Sequence, residues 1–275
     1  MTIETEILVN GLGFPEGPRW HEDRLWFSDM SMSRVMAVDL SGRLEKIVDV
    51  PGQPSGLGWL PDGRLLVVSM SDRRLMRLDS DGLSEVADLS RLAPFHCNDM
   101  VVDNLGRAYI GNFGFDFGSG APFVPAAIIM VPPEGDARTV AENMIFPNGT
   151  VISPDGRTLI VAETFGSRLS AFDIEPDGSL KNHRVWAKLE SVTPDGICLD
   201  AKGAVWVASP FTSEILRICE GAKITRRLKL KTRPYACMLG GEDRKTLFLM
   251  TAGGTKQNSG QIEFFRVDVP GAGLP

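Results

Sequence analysis

One short pattern, met six times along the chain, constrains the fold more than any other feature. The triplets Glu16-Gly17-Pro18, Ser55-Gly56-Leu57, Asn98-Asp99-Met100, Asn148-Gly149-Thr150, Asp195-Gly196-Ile197 and Ala236-Cys237-Met238 recur every 40 to 50 residues or so. About eight residues after the start of each comes a turn position. It is Gly63, Gly106, Gly156 and Gly203 in the inner repeats, and Arg24 and Arg244, each behind an acidic pair, in the first and last. Apolar runs such as Leu25-Trp26-Phe27, Leu65-Leu66-Val67-Val68 and Leu247-Phe248-Leu249 follow the turns and read as strands. A third run follows most of them, as in residues 34–39, 74–79 and 168–173, and a weaker fourth occupies 44–48 and 184–187. Four short strands at this period predict an all-β fold, a six-bladed β-propeller with four antiparallel strands per blade. The last repeat has no obvious fourth strand, and the N-terminal run 3–9 is expected to supply it, which closes the ring and removes open sheet edges. A single domain spanning residues 1–275 is expected.

Composition narrows the function classes. The net charge is −6, with 29 basic against 35 acidic residues and no basic stripe, so nucleic acid is not expected as a partner. There is no apolar run of about 18 residues to span a membrane. The N-terminus Met1-Thr2-Ile3-Glu4-Thr5-Glu6 lacks the basic and apolar segments of a secretory leader, so the expected location is cytoplasmic. Cys97, Cys198, Cys219 and Cys237 are dispersed without close pairs and read as small buried residues. With only His21, His96 and His183 besides, soft ligands for zinc are few. Nucleophile-elbow, zinc-protease and phosphate-loop motifs are missing from the chain.

The informative position is the first of the triplet, where four repeats carry Glu16, Asn98, Asn148 and Asp195. A closed ring brings them to one hub. Two carboxylates and two amides form a hard oxygen set that suits Ca2+, with Zn2+, Mn2+ and Mg2+ as candidate substitutes. Glu16 and Asp195 would together neutralise a divalent ion, and without one they would repel each other and raise a pKa. Other readings stay open. Asp195 lies in a Pro-Asp-Gly triplet, and the same letters at 61–63, 154–156 and 176–178 read as β-turns. Phase separates it from the first two of these, because Asp195 has its own turn later, at residues 200–203. Asn98 and Asn148 could instead hydrogen-bond open backbone. Glu16, flanked by Pro15 and Pro18, suits a loop that holds a functional group.

Phe14-Pro15-Glu16-Gly17-Pro18, Asn98-Asp99, Phe146-Pro147-Asn148-Gly149 and residues 193–200 resemble the motifs of the regucalcin/gluconolactonase family, over about residues 10 to 255. The resemblance implies a six-bladed propeller with a divalent cation, usually calcium, in its channel, and lactone hydrolysis as the commonest activity. It implies Glu16, Asn148 and Asp195 as metal ligands, and Asn98 as a ligand or a substrate contact. Sugar lactonases of the family often carry arginine where this chain has His96, which becomes a candidate substrate contact or proton carrier. The expected chemistry is polarisation of a lactone carbonyl by the metal, with water activated by Asp195 or, second, His96. Phe14, Phe146 and Phe113 are candidate substrate contacts, and the aromatic, glycine-rich segment 113–125 is a candidate lid for a less polar lactone or ester. Two other functions are compatible with these residues: a phosphotriesterase-like hydrolase on the same site, or a non-catalytic, calcium-stabilised binding propeller. A monomer is compatible with one acidic domain.

Overall fold

A computed structural model describes residues 4–253 and 258–273. Ile3 of the expected ring-closing run, and Met1 and Thr2 of the N-terminus read for a leader, lie outside the described residues. The described chain forms six four-stranded antiparallel sheets. Their innermost strands are Pro15–His21, Pro54–Trp59, Cys97–Val102, Pro147–Ile152, Ile197–Leu199 and Arg233–Gly240, and we number the blades I to VI in that order. Each innermost strand packs against the next, and blade VI against blade I, so the ring is closed. This is the six-bladed propeller expected from the repeat. Among the described residues no helix is long and apolar enough to cross a membrane.

Closure is made by the two ends of the chain. Blade VI consists of Arg233–Gly240, Thr246–Ala252, Gly260–Arg266 and the N-terminal strand Glu6–Leu12, which pairs antiparallel with Gly260–Arg266. Val9 and Leu12 of that strand bury their side chains in a core shared with Trp20 and Phe27 of blade I and Trp206 of blade V. Trp20 stacks on Phe248 with centroids 5.6 Å apart, so aromatic packing reinforces the junction between the first and last blades.

The inner strands are not regular. In blades I to IV and VI the pairing register slips at the repeated triplet: between Glu16 and Arg19, Pro54 and Leu57, Cys97 and Met100, Pro147 and Thr150, and Pro234 and Ala236. In blade V the strand begins only at Ile197, and Asp195 is held by its backbone N–H donating to the Ala208 carbonyl at 2.9 Å. Such bulges break the two-residue alternation and re-aim side chains. They turn the head of each triplet toward the channel. The second triplet position is where neighbouring inner strands meet backbone to backbone. A Cβ on Gly56 would stand 2.3 Å from the amide nitrogen of Met100, and one on Gly149 would stand 2.5 Å from that of Ile197.

Gly63, Gly106, Gly156 and Gly203 all take positive φ at the turns, as does Arg244. Blade I corrects the sequence expectation. His21 pairs with Arg24, so Arg24 opens the next strand, and the turn is the two-residue loop Glu22-Asp23 with φ of 47° and 57°. Both central residues at positive φ match the hairpin turn whose twist suits antiparallel strands.

The far end of the channel is shut. Residues after the last strand cross it, with Gly271 bridged to Asp200 and the Ala272 N–H donating to the Leu199 carbonyl at 3.0 Å. Val101, Ile152 and Leu239 fill much of the space above, and about 30 Å³ remains, room for about one water. Among the described residues the wider opening of the channel is therefore at the triplet-head end.

Gly56 belongs to a blade without a triplet-head carboxylate or amide, so it isolates packing from chemistry. Gly56→Ala is expected to lower stability by about 1–3 kcal/mol through overpacking, read as a shift in urea midpoint; a midpoint equal to that of the unsubstituted protein would contradict the close approach.

Candidate active site at the open end of the channel

Glu16, Asn98, Asn148 and Asp195 share the lining of one cavity of about 410 Å³ that opens at the triplet-head end. Asn98, Asn148 and Asp195 are each 8% exposed. The amide nitrogens are committed to protein oxygens: Asn98 Nδ2 donates to the Pro147 carbonyl at 3.1 Å, and Asn148 Nδ2 donates to Thr164 Oγ1 at 3.3 Å. Thr164 in turn donates to the Pro194 carbonyl at 2.8 Å, tying blade IV to the residue before Asp195. Each Oδ1 is an acceptor that a cation or a substrate hydroxyl could use.

Two buried braces set the loops in front of this floor. Asp29 and Glu163 are fully buried, and each receives the guanidinium five residues on, from Arg34 at 2.9 Å and Arg168 at 2.7 Å. Asp29 also accepts the Phe14 N–H at 3.0 Å, and Glu163 accepts the Ile145 N–H at 2.7 Å. Each carboxylate thus pins the segment that leads into an inner strand and its triplet head.

Behind the four lies a buried pair. Arg19 donates to Asp99 Oδ1 at 2.8 Å and to the carbonyls of Pro18 and Met100. Asp99 also accepts the Met100 N–H at 2.9 Å. The site therefore holds three carboxylates, Glu16, Asp99 and Asp195, against one guanidinium, an excess of two negative charges when all are ionised. Burial and, second, the charge of Asp99 push the Asp195 carboxyl up to about 8, against a hydrogen bond from Asn148. Glu16 is raised well above the carboxylate range by burial and then by Asp195, with the Gly17 N–H donating at 3.0 Å in opposition. Burial also raises Asp99, although Arg19 opposes it.

The walls above this polar floor are mostly apolar. Phe113 stacks on Phe146 at 4.6 Å, Phe146 lies 4.7 Å from Phe165, and Phe117 lies 5.3 Å from Phe146. Across the cavity Phe14 meets the ring of Tyr235 edge-on at 4.5 Å. Met30 and Met70 add apolar surface, and Ser31, Gln53 and Ser55 give one polar side.

Of the residues singled out in the sequence, the structure gathers Glu16, Asn98, Asn148, Asp195, Phe14, Phe113 and Phe146 around this cavity. Asp62, Asp155 and Asp177 of the other Pro-Asp-Gly triplets lie exposed in turns instead. His96 stands apart. It precedes the strand Cys97–Val102, stacks on Phe95 at 4.0 Å and lies 5.9 Å from Phe113, without itself lining the cavity. Its half-buried imidazole has a pKa lowered by burial.

Sequence reasoning missed Arg19, Asp99, Thr164 and Tyr235. A signal for Asp99 existed: where the other repeats have glycine or cysteine at the second triplet position, the third has a carboxylate. Among the described residues no three His, Cys, Asp or Glu side chains form a metal-binding cluster. The donor set at the floor is of another kind, two carboxylates with two amides.

Residues 14–253 match the SMP-30/gluconolactonase/LRE-like region. The chain is 26% identical to the pentonolactonase of Haloferax volcanii over 294 aligned positions, covering 100% of this chain and 97% of that protein. It is 25% identical to the 6-deoxy-6-sulfogluconolactonase of Pseudomonas putida, covering 94% of this chain and 93% of that one. In fold it is similar to the calcium-binding protein regucalcin of Agrobacterium tumefaciens, with a TM-score of 0.84, 21% identity, and 100% and 97% of the two chains covered. The chain belongs to the SMP-30/gluconolactonase/LRE-like family.

Proposed function

We propose that this protein is a lactonase dependent on a divalent cation, held by Glu16, Asn148 and Asp195, with Asn98 as a fourth ligand or a substrate contact. The observation that carries the reading is the gathering of three carboxyl groups, Glu16, Asp99 and Asp195, against one guanidinium at the buried base of a cavity. Family membership and lactonase relatives that cover nearly all of the chain support it. The oxygen donors and the charge excess fit a hard divalent ion, calcium first. When bound, that ion would supply the positive charge that polarises a lactone carbonyl and stabilises the oxyanion formed on attack.

The chain's own residues supply the rest. Ionised Asp195 accepts a proton from water as the water oxygen bonds to the carbonyl carbon. The ring C–O bond then breaks, and the departing ring oxygen takes up a proton, giving the hydroxy acid. Asn98 presents its Oδ1 beside Asp195 to orient the ring or the ion. The amide hydrogen bonds to the Pro147 carbonyl and to Thr164 fix the orientation of both asparagines. Phe14, Tyr235 and Phe146 exclude bulk water and strengthen these interactions. Asp195 is assigned the proton transfer in preference to His96, which does not line the cavity.

Proton release from a panel of lactones, measured on metal-stripped protein with and without Ca2+, tests the reading. Calcium-dependent turnover is expected, and Asp195→Ala should reduce kcat by about 10²- to 10⁴-fold. Turnover unchanged by metal removal, or retained in that variant, would overturn it.

The carboxyl shifts give a second test. In the metal-free protein Asp195 holds its proton up to about pH 8, whereas the unfolded chain releases it near 3.8. Between these values the folded state binds more protons than the unfolded state, so stability falls as pH rises. Glu16 acts in the same direction. The urea midpoint of metal-free protein is expected to decline from pH 5 to pH 8. Saturating Ca2+ should flatten the decline, and so should Asp195→Asn. A metal-free midpoint that is level or rises over that range would contradict the charge account.

A further inference from the structure

The lactonase reading leaves the substrate class open, and the cavity walls bear on it. Polar groups lie at the floor, on the side bearing Ser31, Gln53 and Ser55, and at Thr164 and Tyr235, away from the phenylalanines of the blade III loop. Among the described residues that line the cavity none is Lys, Arg or His, so away from the floor an anionic substituent on the substrate would find no cationic side chain. A polyol lactone would have to desolvate several hydroxyls against phenyl rings, and unpaired buried hydroxyls are costly.

The other side is a continuous aromatic surface. Phe113, Phe117, Phe146 and Phe165 contact one another, with centroids 4.6 to 6.0 Å apart along the chain of neighbours. They come from different parts of the chain: the blade III loop carries Phe113 and Phe117, while Phe146 and Phe165 come from blade IV. This wall is not sealed core. Phe117 is 49% exposed and Phe165 42%, and Phe211 beside them at the rim is 71% exposed. A contiguous apolar surface that rises from a polar floor into solvent gains free energy when an apolar group covers it. A cavity of about 410 Å³ falls in the usual size range of small-molecule sites and leaves room beyond a single small ring.

We propose that the substrate is a neutral lactone bearing an extended apolar substituent, alkyl or aryl. Its ring rests on Glu16, Asn98, Asn148 and Asp195, and its substituent lies along the wall of Phe113, Phe117, Phe146 and Phe165. The proposal deepens the lactonase reading and rests on it. Phe165 and Phe117 are specificity-determining residues in this account, since they form the exposed outer part of the wall.

The test is kcat/KM for γ-lactones carrying hydrogen, butyl or octyl at the carbon next to the ring oxygen, with glucono-δ-lactone for comparison. Isothermal titration with the octyl and unsubstituted γ-lactams, whose amides resist hydrolysis, gives a readout independent of turnover. Each methylene laid on the wall should raise kcat/KM by about two- to fourfold, and the octyl lactam should bind at least tenfold more tightly than the unsubstituted one. In Phe165→Ala and Phe117→Ala the ratio of octyl to unsubstituted kcat/KM should fall about tenfold. Rates independent of chain length, or glucono-δ-lactone equal to the octyl substrate, would overturn the substrate class and leave the lactonase reading standing. No turnover of any lactone, with chain-dependent binding of the lactams, would sink the lactonase reading while supporting an apolar ligand. Lactam binding without chain dependence would overturn the wall's role.

Discussion

Like charges held together out of water set the terms for this molecule. Glu16 and Asp195 face one buried floor with Asp99 behind them, and Arg19 alone opposes them. Left to itself such a group would separate, hydrate or take up protons, and the raised carboxyl pKa values express the last of these. Separation is prevented because the residues sit on different blades of a closed ring. Moving one carboxylate away means opening the packing between blades, including the junction where Trp20 stacks on Phe248. The ring thus holds an electrostatic conflict, and the proposed metal dependence is argued from the chain's own charges.

Local devices make that geometry available. The repeated register slip at the triplets turns their heads into the channel, and the glycines at the second position let adjacent inner strands approach closely enough to form a narrow hub. Asp29 and Glu163 pin the segments in front of Glu16 and Asn148. The C-terminal crossing at Gly271 and Ala272 shuts the opposite end, so the polar floor becomes the bottom of a one-sided cavity. The rings around Phe146, above the floor, are then placed to set what kind of substituent the cavity accepts.

Much of this was legible in the sequence. The sixfold period, the turn glycines and the ring-closing N-terminal strand follow from local pattern. Phase within the repeat was enough to distinguish Asp195 from Asp62 and Asp155, whose triplets look alike but fall at turns. Other features depend on contacts between distant segments. The ion pair between Arg19 and Asp99 joins residues in blades I and III, and only a structure brings them together. No local pattern fixes the place of His96, which sits just before the strand Cys97–Val102, where strand geometry does not set side-chain direction. The Glu22-Asp23 turn was missed because glycine marks left-handed turns in the inner repeats, while here two acidic residues adopt the same backbone.

The central claim is that the floor carries an unresolved negative charge that a single cation neutralises. Calorimetric titration of Ca2+ into metal-stripped protein near pH 7, repeated in buffers of different ionisation enthalpy, measures both stoichiometry and proton release. With the Asp195 carboxyl pushed up to about 8, cation binding must displace a proton. The expected result is one ion per chain with net proton release, and loss of that site in Asp195→Asn. Absence of a one-to-one site, or binding with no proton released, would contradict the account.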